Sequence, residues 1–405
     1  GPSQSTADVG CDDIKPEYGI SSTPVIVRTA SNAATLYVVA ATEPAPFSFH
    51  TQLHAIDLGT GNDIRKPREI APTGKLTTGG KIHFDPQNQW SRSALVYNNG
   101  SIYMGIGSHC DNNAGGISGW VLRYDASTLK LTAKFNTIRA SASYELSSVW
   151  MSGYSVAIDP DGNVYAVTGN GNYDLGHGQK GYGESVLKLS PSFGKKPLGT
   201  FTPSEWQTLN DEDNDFGSGG AMLIPVAGGQ TTPASLVAMG KSATMYLLDI
   251  DNLNGLEGKN GYQALQKFQI DPCWCGPAYY SGSSGGVVFY QGSYDQLRAY
   301  SVATTGTPGL TQVATSSDFA GFGGSFPVVS SNGSNPGTAV VWAIERGPGY
   351  EELAAYNAQT LGNPLFRQVA GSWSNGNGSY LTPLVANGRV YVGAYQTVAV
   401  YGLTD

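Results

Sequence analysis

Charge is scarce in this chain. Asp, Glu, Lys and Arg make up 13% of its 405 residues, against about 25% in a typical soluble protein. A protein of long helices is thereby excluded, because their wet faces would need far more Glu, Lys and Arg. Basic clusters are missing too. With a formal net charge of -8 and no run of Lys and Arg beyond pairs such as Lys195-Lys196, a nucleic-acid partner is excluded. No apolar stretch reaches the roughly 18 residues of a membrane helix. Cysteine is sparse, at Cys11, Cys110, Cys273 and Cys275. No Cys-x-x-Cys-His is present to hold haem covalently, and no His-x-His or Cys-x-x-Cys spacing supports zinc.

What is abundant is glycine, with 54 residues, alongside 23 Tyr and 11% aromatics. Aromatic surface on that scale excludes disorder. Excess glycine with little charge points instead to a large all-β chain with many tight turns. Internal repetition makes this specific. One unit consists of an inner apolar strand, a turn, a strand like Val-Tyr-Val, a loop, and a strand like Leu-x-Ala-Tyr-Asp. The last unit shows it plainly: Thr382-Pro383-Leu384-Val385, the turn Asn387-Gly388, Val390-Tyr391-Val392-Gly393, then Val398-Ala399-Val400-Tyr401. The third strand of the unit recurs at residues 53, 121, 186, 246, 297, 353 and 398. That spacing of roughly 45 to 70 residues suits a four-stranded propeller blade with its loops. The expectation is one all-β domain over residues 1–405, a seven-bladed β-propeller of four-stranded antiparallel blades. Weaker fourth strands are expected at residues 132–135, 199–201 and 265–268. The chain ends after the third strand of the seventh unit, so a strand from residues 1–20 is expected to close the ring.

In an up-and-down blade, the loops from strand two to three and from strand four to the next blade share one face. Sorting the chain by that rule places His109, Cys110, Asp111, Trp150, Asn170, Asp174, Asp211, Asp213, Asp215, Lys241, Trp274, Glu345, Arg346 and Trp373 together. The opposite face carries plain hairpin turns such as Asn98-Asn99-Gly100 and Asp159-Pro160-Asp161-Gly162. The first face is therefore the expected binding face.

The Leu-x-Ala-Tyr-Asp-x-x-Thr-Gly repeat resembles that of the pyrroloquinoline-quinone (PQQ) propeller family over essentially the whole chain. Its middle is similar to the quinoprotein alcohol dehydrogenases. Trp150, then Asp159-Pro160, Val164-Tyr165 and Thr168-Gly169-Asn170-Gly171 resemble the segment whose Trp stacks on the quinone and whose Asn ligates calcium. Asp213-Asn214-Asp215-Phe216-Gly217 resembles the element with the catalytic Asp, which falls on Asp215. The segment from Gly240-Lys241-Ser242 to Asp249 resembles the one whose basic residue, here Lys241, holds the quinone carbonyls. The resemblance implies PQQ and calcium as cofactors, with Asn170, Asp111 and Asp215 as metal ligands and Asp215 as base. Calcium suits such hard oxygen donors, a flat indole suits a planar cofactor, and a Lys near the quinone oxygens would stabilise charge arriving there.

Some features depart from that family. The sequence shows seven repeats where those enzymes have eight blades, it lacks their adjacent Cys-Cys pair, and their calcium-binding Glu has no clear counterpart. Bland readings stand beside the sharp ones. The acidic stretch Asp211–Asp215 also fits a solvated loop, His109 fits a hydrogen-bonded loop histidine, and Lys241 fits a partner of a nearby carboxylate. Cys273 and Cys275, two apart on what reads as extended chain, are expected to pair elsewhere, for example with Cys11 or Cys110. The sequence leaves three functions open: an alcohol or sugar dehydrogenase using PQQ and calcium, a non-catalytic propeller binding glycan or protein, and a glycan-cleaving enzyme. Low charge, polar loops and scattered cysteines suggest an extracellular or periplasmic monomer. The Gly1-Pro2-Ser3 start reads as a tag remnant in place of a removed leader.

Overall fold

The structure, a computed structural model, describes all residues except 32, 78, 112–116, 140–145, 174–180, 226–232, 284, 304–306, 374–380 and 403–405. The chain falls into two compact units, one of residues 1–218 with 254–262, the other of residues 219–253 with 263–405. Among the described residues no helix is long and apolar enough to cross a membrane. The fold is an all-β propeller in which the helices, such as Thr6–Val9 and Trp206–Asp211, are short.

Among its described residues the first unit holds three larger sheets, besides the two-stranded pairs of Gln4–Ser5 with Glu17–Tyr18 and Thr73–Lys75 with Lys81–His83. The strands Val25–Ala30, Ala33–Thr42, His50–Asp57 and Arg68–Glu69 form the first in sequence order. The two long strands pair over eight positions, from Thr35 with Asp57 to Thr42 with His50. The second runs through Val96–Asn98, Ser101–Ser108, Trp120–Asp125 and Leu131–Asn136, with Gln89–Ser91 added beside Ser101–Ser108. The third comprises Ala157–Ile158, Val164–Val167, Val186–Leu189 and Gly199–Thr202. Its outer edge is covered by Asn254–Leu256 in parallel register, which removes an unpaired strand edge. Tyr37, Val39, Leu53 and Ile70 of the first sheet pack with Ile102, Met104, Trp120 and Leu122 of the second in one buried cluster. Each such side chain taken fully out of water contributes about 1.5–3 kcal/mol.

The second unit continues the pattern. Ala221–Pro225, Pro233–Met239, Thr244–Asp249 and Gln266–Gln269 form a four-stranded sheet. Two further meanders, Ala278–Gly282 to Leu310–Phe319 and Val328–Ser330 to Leu361–Ser372, are joined into one eight-stranded sheet by a parallel bridge between Ser316 and Gly362. The last sheet has three strands, Leu384–Ala386, Arg389–Ala394 and Thr397–Gly402.

The repeat therefore folds as expected strand by strand, but not as seven separate four-stranded sheets. The two meanders merge because the outer strand of one extends ten residues, far enough to meet the twelve-residue outer strand of the next. The expected ring-closing strand is not formed among the described residues. Gln4–Ser5 pairs with Glu17–Tyr18 in a ribbon of its own. That N-terminal segment is instead anchored by burial of Val9, Cys11 and Tyr18 against Trp90, and by a disulfide between Cys11 and Cys110.

Candidate functional site

Three strand ends and one acidic turn of the first unit converge on the segment Gly169-Asn170-Gly171. Asp215 is buried at 4% exposure, and one of its carboxylate oxygens accepts the backbone N–H of Asn170 at 2.7 Å. The Asn170 amide nitrogen donates to Asp213 at 2.6 Å and to Asp111 at 3.3 Å. Asp111 is in turn held by the Ser108 hydroxyl at 2.8 Å. Carboxylate oxygens of Asp111, Asp213 and Asp215 all lie within 4.8 Å of one another. Asn170 is itself 94% buried, and its amide oxygen has no hydrogen-bond partner.

Both glycines of Gly-Asn-Gly are dictated by this packing. A Cβ at Gly169 would stand 2.2 Å from the Asp215 carboxylate, and one at Gly171 would stand 2.3 Å from the Ser147 nitrogen. The neighbouring backbone is forced as well. Cys110, Asp111, Leu146, Ser147, Glu184 and Asp213 all take positive φ, between 44° and 67°, a conformation that costs non-glycine residues about 1 kcal/mol or more each. Ser147 donates its N–H to the Asn170 carbonyl, and Glu184 donates its own to Gly169. Glu184, wholly buried, accepts the Phe216 N–H at 2.6 Å, and the Asn210 side-chain oxygen accepts from Gly171 at 2.6 Å.

Trp150 lies beside this cluster. Its ring packs over Gly107, where a Cβ would lie 3.1 Å from the indole, and it meets Trp90 edge-on at 6.3 Å. Next to it, His109 is wholly buried, stacked on Trp90 at 4.8 Å and against Tyr18 at 4.4 Å. Neither ring nitrogen has a hydrogen-bond partner, so the expected hydrogen-bonded loop histidine is not what the fold contains. Burial holds its imidazole at about 3, well below its usual value, and Arg92 adds to the effect.

The other expected residues have surroundings of their own. Lys241, in the second unit, places its ammonium 5.9 Å over the Trp274 ring. Glu345 is buried in an ionic knot, accepting from Tyr356 at 2.7 Å, Gln291 at 3.3 Å and Arg367 at 2.5 Å. Burial pushes its carboxyl up, and the Tyr356 hydroxyl and Arg367 counter that. Arg346 donates to the Phe322 carbonyl, and Trp373 is fixed by its backbone N–H to Gly349. Asp211 is exposed at the end of its short helix. Asp174 lies outside the described residues.

The cysteine pairing differs from expectation. Cys273 and Cys275 are joined to each other, leaving Cys11 to Cys110. The reason is local: the chain bends at Trp274 and Cys275 instead of running extended, which brings the two Cα atoms to 5.0 Å. Sequence reasoning missed Ser108, Glu184 and Asn210 as supports of the cluster. Glu184 carried the one available signal, a lone acid at the mouth of the apolar strand Val186–Leu189.

Among known proteins, no protein-family model matches the chain, and no curated protein matches it. Solved structures do. A quinohemoprotein alcohol dehydrogenase, ADHIIG from Pseudomonas putida HK5, is 14% identical over 93% of this chain and 69% of its own, with a TM-score of 0.43. The Cps50 (Swd1) β-propeller domain of Myceliophteria thermophila is 10% identical over 95% of this chain and 97% of its own, at 0.45. The WD40 domain of Toxoplasma gondii coronin is 11% identical over 83% and 76%, at 0.43. The propeller assignment stands on the run of antiparallel meanders described above.

Proposed function

We propose that this chain is a seven-bladed quinoprotein-like propeller that holds calcium at Asp111, Asn170, Asp213 and Asp215 and oxidises an alcohol or a sugar with PQQ. The observation that carries the reading is the buried Asn170 amide oxygen, left without a hydrogen bond in the middle of three converging carboxylates. Like charges at that spacing repel, and a divalent cation relieves the repulsion while taking the amide oxygen as a ligand. Four oxygen donors with no sulfur or imidazole among them suit calcium. The side-chain amide turns over on binding, exchanging its donated hydrogen bonds for a metal contact.

PQQ, when bound, supplies the hydride-accepting quinone. The residues beside the cation fit such a group in kind, with Trp150 offering an aromatic face and the ion offering a site for its oxygens. Asp215 is the base that the resemblance implies. In this fold it is buried and tied to the Asn170 N–H, so it holds the Gly-Asn-Gly turn and the ion. Asp213, at the solvent edge of the cluster, is the better-placed carboxylate to take a proton from a substrate hydroxyl. Glu184 orients the acidic turn through the Phe216 N–H, and Ser108 orients Asp111. Lys241 enters this reading through the resemblance alone. The two disulfides are compatible with an extracellular or periplasmic location.

The second reading, a propeller that binds glycan or protein without redox chemistry, is favoured by the exposed ring group of Phe322 and Tyr294 beside Trp274. Calorimetric titration with calcium, followed by dye reduction on alcohols and sugars with PQQ present, separates the two. Calcium binding that Asn170→Ala weakens at least about tenfold, with calcium-dependent dye reduction lost in Asp213→Asn, is the expected result. Calcium binding without dye reduction leaves the binding module. No calcium binding at all sinks the cation centre.

A further inference from the structure

We propose that the first unit carries a second, separate binding site, a cationic groove for an oligosaccharide bearing sulfate or carboxylate groups. The groove has a volume of about 480 Å³, within the about 300–1,000 Å³ typical of small-ligand sites. Four elements converge on it: the strand Thr73–Lys75, the start of Trp120–Asp125, the outer strand Leu131–Asn136 with Arg139 beyond it, and the turn at Phe193-Gly194-Lys195. Its rim carries Lys75, Lys134, Arg139 and Lys195, and among the described residues lining it there is no Asp or Glu. In a chain with 31 acidic and 23 basic residues, four cations with no intervening acid are a local reversal of the overall charge. None of the four makes an ion pair among the described residues.

The groove is built, not incidental. Trp120, Phe135 and Phe193 are buried and form its apolar wall. Along Leu131–Asn136 the alternation sends Phe135 inward and Lys134 to solvent. Gly74 keeps the wall open, since a Cβ there would lie 2.9 Å from Ile82 and 3.2 Å from the Trp120 ring. Arg139 is held on both sides: its guanidinium donates to the Lys195 carbonyl, and its own carbonyl accepts from the Thr77 N–H and hydroxyl at 2.8 and 3.0 Å. The turn bearing Lys195 is fixed by Phe193, in left-handed backbone, packing on Tyr103, and by Arg123 donating to Pro191. Cations pinned on separate elements around an apolar wall suit a ligand with several anionic groups spaced along sugar rings. A long nucleic acid is disfavoured by the chain's net negative charge, which repels a polyanion extending beyond the groove.

The site is independent of the calcium centre, so the two readings fail separately. The test is fluorescence-detected titration of the full chain with a sulfated hexasaccharide, hexagalacturonate, uncharged cellohexaose and inorganic sulfate. Both anionic oligosaccharides are expected to bind, to weaken in 0.5 M NaCl as screening shortens to about 3–10 Å, and to outbind cellohexaose and free sulfate. Lys134→Glu with Lys195→Glu, both at exposed positions, should weaken binding at least about tenfold. The control pair Lys66→Glu with Lys259→Glu should leave it unchanged, and calcium affinity should be unchanged in all of these variants. The proposal is overturned if cellohexaose binds as well as the anionic oligomers, if inorganic sulfate matches them, or if the Lys134/Lys195 variant binds like the parent.

Discussion

Glu351 gives the sharpest test of the energetics. It is the second residue of the strand Tyr350–Asn357, opposite Gly371, is fully buried, and neither carboxylate oxygen has a hydrogen-bond partner. Burial pushes its pKa from 4.5 up to about 7, against a partial counter-pull from Arg346. A raised acid stabilises the fold fully below its unfolded pKa and loses that contribution as pH climbs to the folded one. From 4.5 to about 7, at 1.36 kcal/mol per pH unit, ionisation costs about 3 kcal/mol at pH 8 and about 1 at pH 5. His109 runs the other way. Its depressed pKa, about 3, means that stability is lost as pH falls below the unfolded value near 6.5. Between about pH 4.5 and 6.5 the two slopes oppose each other, so the parent protein shows little of either. Glu351→Gln should expose the histidine slope. The variant should be more stable than the parent by about 3 kcal/mol at pH 8, and the gap should shrink towards pH 5. Urea unfolding of both proteins across pH 5–8, followed by circular dichroism, measures that gap. A difference constant with pH would refute the assignment of a buried, unpartnered carboxylate, whatever its absolute size.

Two further outcomes follow from the candidate site. Gly169→Ala forces a methyl into the space held by the Asp215 carboxylate, so it should cost about 1–3 kcal/mol by overpacking and also abolish calcium binding, as read by differential scanning calorimetry and calcium titration. Cys11→Ser removes a link between residues 99 apart in sequence, worth about 4.7 kcal/mol on loop-closure grounds. Because Cys110 directly precedes Asp111, the same variant should also weaken calcium binding, and limited proteolysis should cut within residues 1–20 first.

Much of the fold was legible because a propeller repeats its signals. Each second and third strand identified from Val-Tyr-Val and Leu-x-Ala-Tyr-Asp is a strand in the structure, for example Val164–Val167 with Val186–Leu189. In the middle of the chain such strands, Val164–Val167 and Val186–Leu189 among them, are buried on both faces, so their apolar runs are dense and unmistakable. Outer strands lie at the periphery, where composition is freer, and there the sequence misled. Nothing in Leu310–Phe319 or Leu361–Ser372 announces that the two would meet at Ser316 and Gly362. The missing closing strand has the same origin, since a two-residue ribbon at Gln4–Ser5 carries no periodicity at all.

The site divides along a different line. Asn170 and Asp215 were found because a resemblance pointed to them, and Asp111 because it was the nearest acid in its loop; the structure gathers all three with Asp213. What the sequence could not supply is burial. Asp213 and Asp215 are two residues apart and chemically identical, yet one stands at the rim while the other is 4% exposed and locked to a backbone N–H. That difference, set by Gly169 leaving room for one carboxylate, is why the proposed reading gives Asp215 the holding role and Asp213 the proton transfer. The cationic groove is the converse case. Its four bases sit at positions 75, 134, 139 and 195, and of these only Lys195 falls in a basic pair, Lys195-Lys196. Because each comes from a different strand or turn, only the folding of the first unit makes them a single field. A search for linear charge clusters is blind to an anion site assembled from single residues.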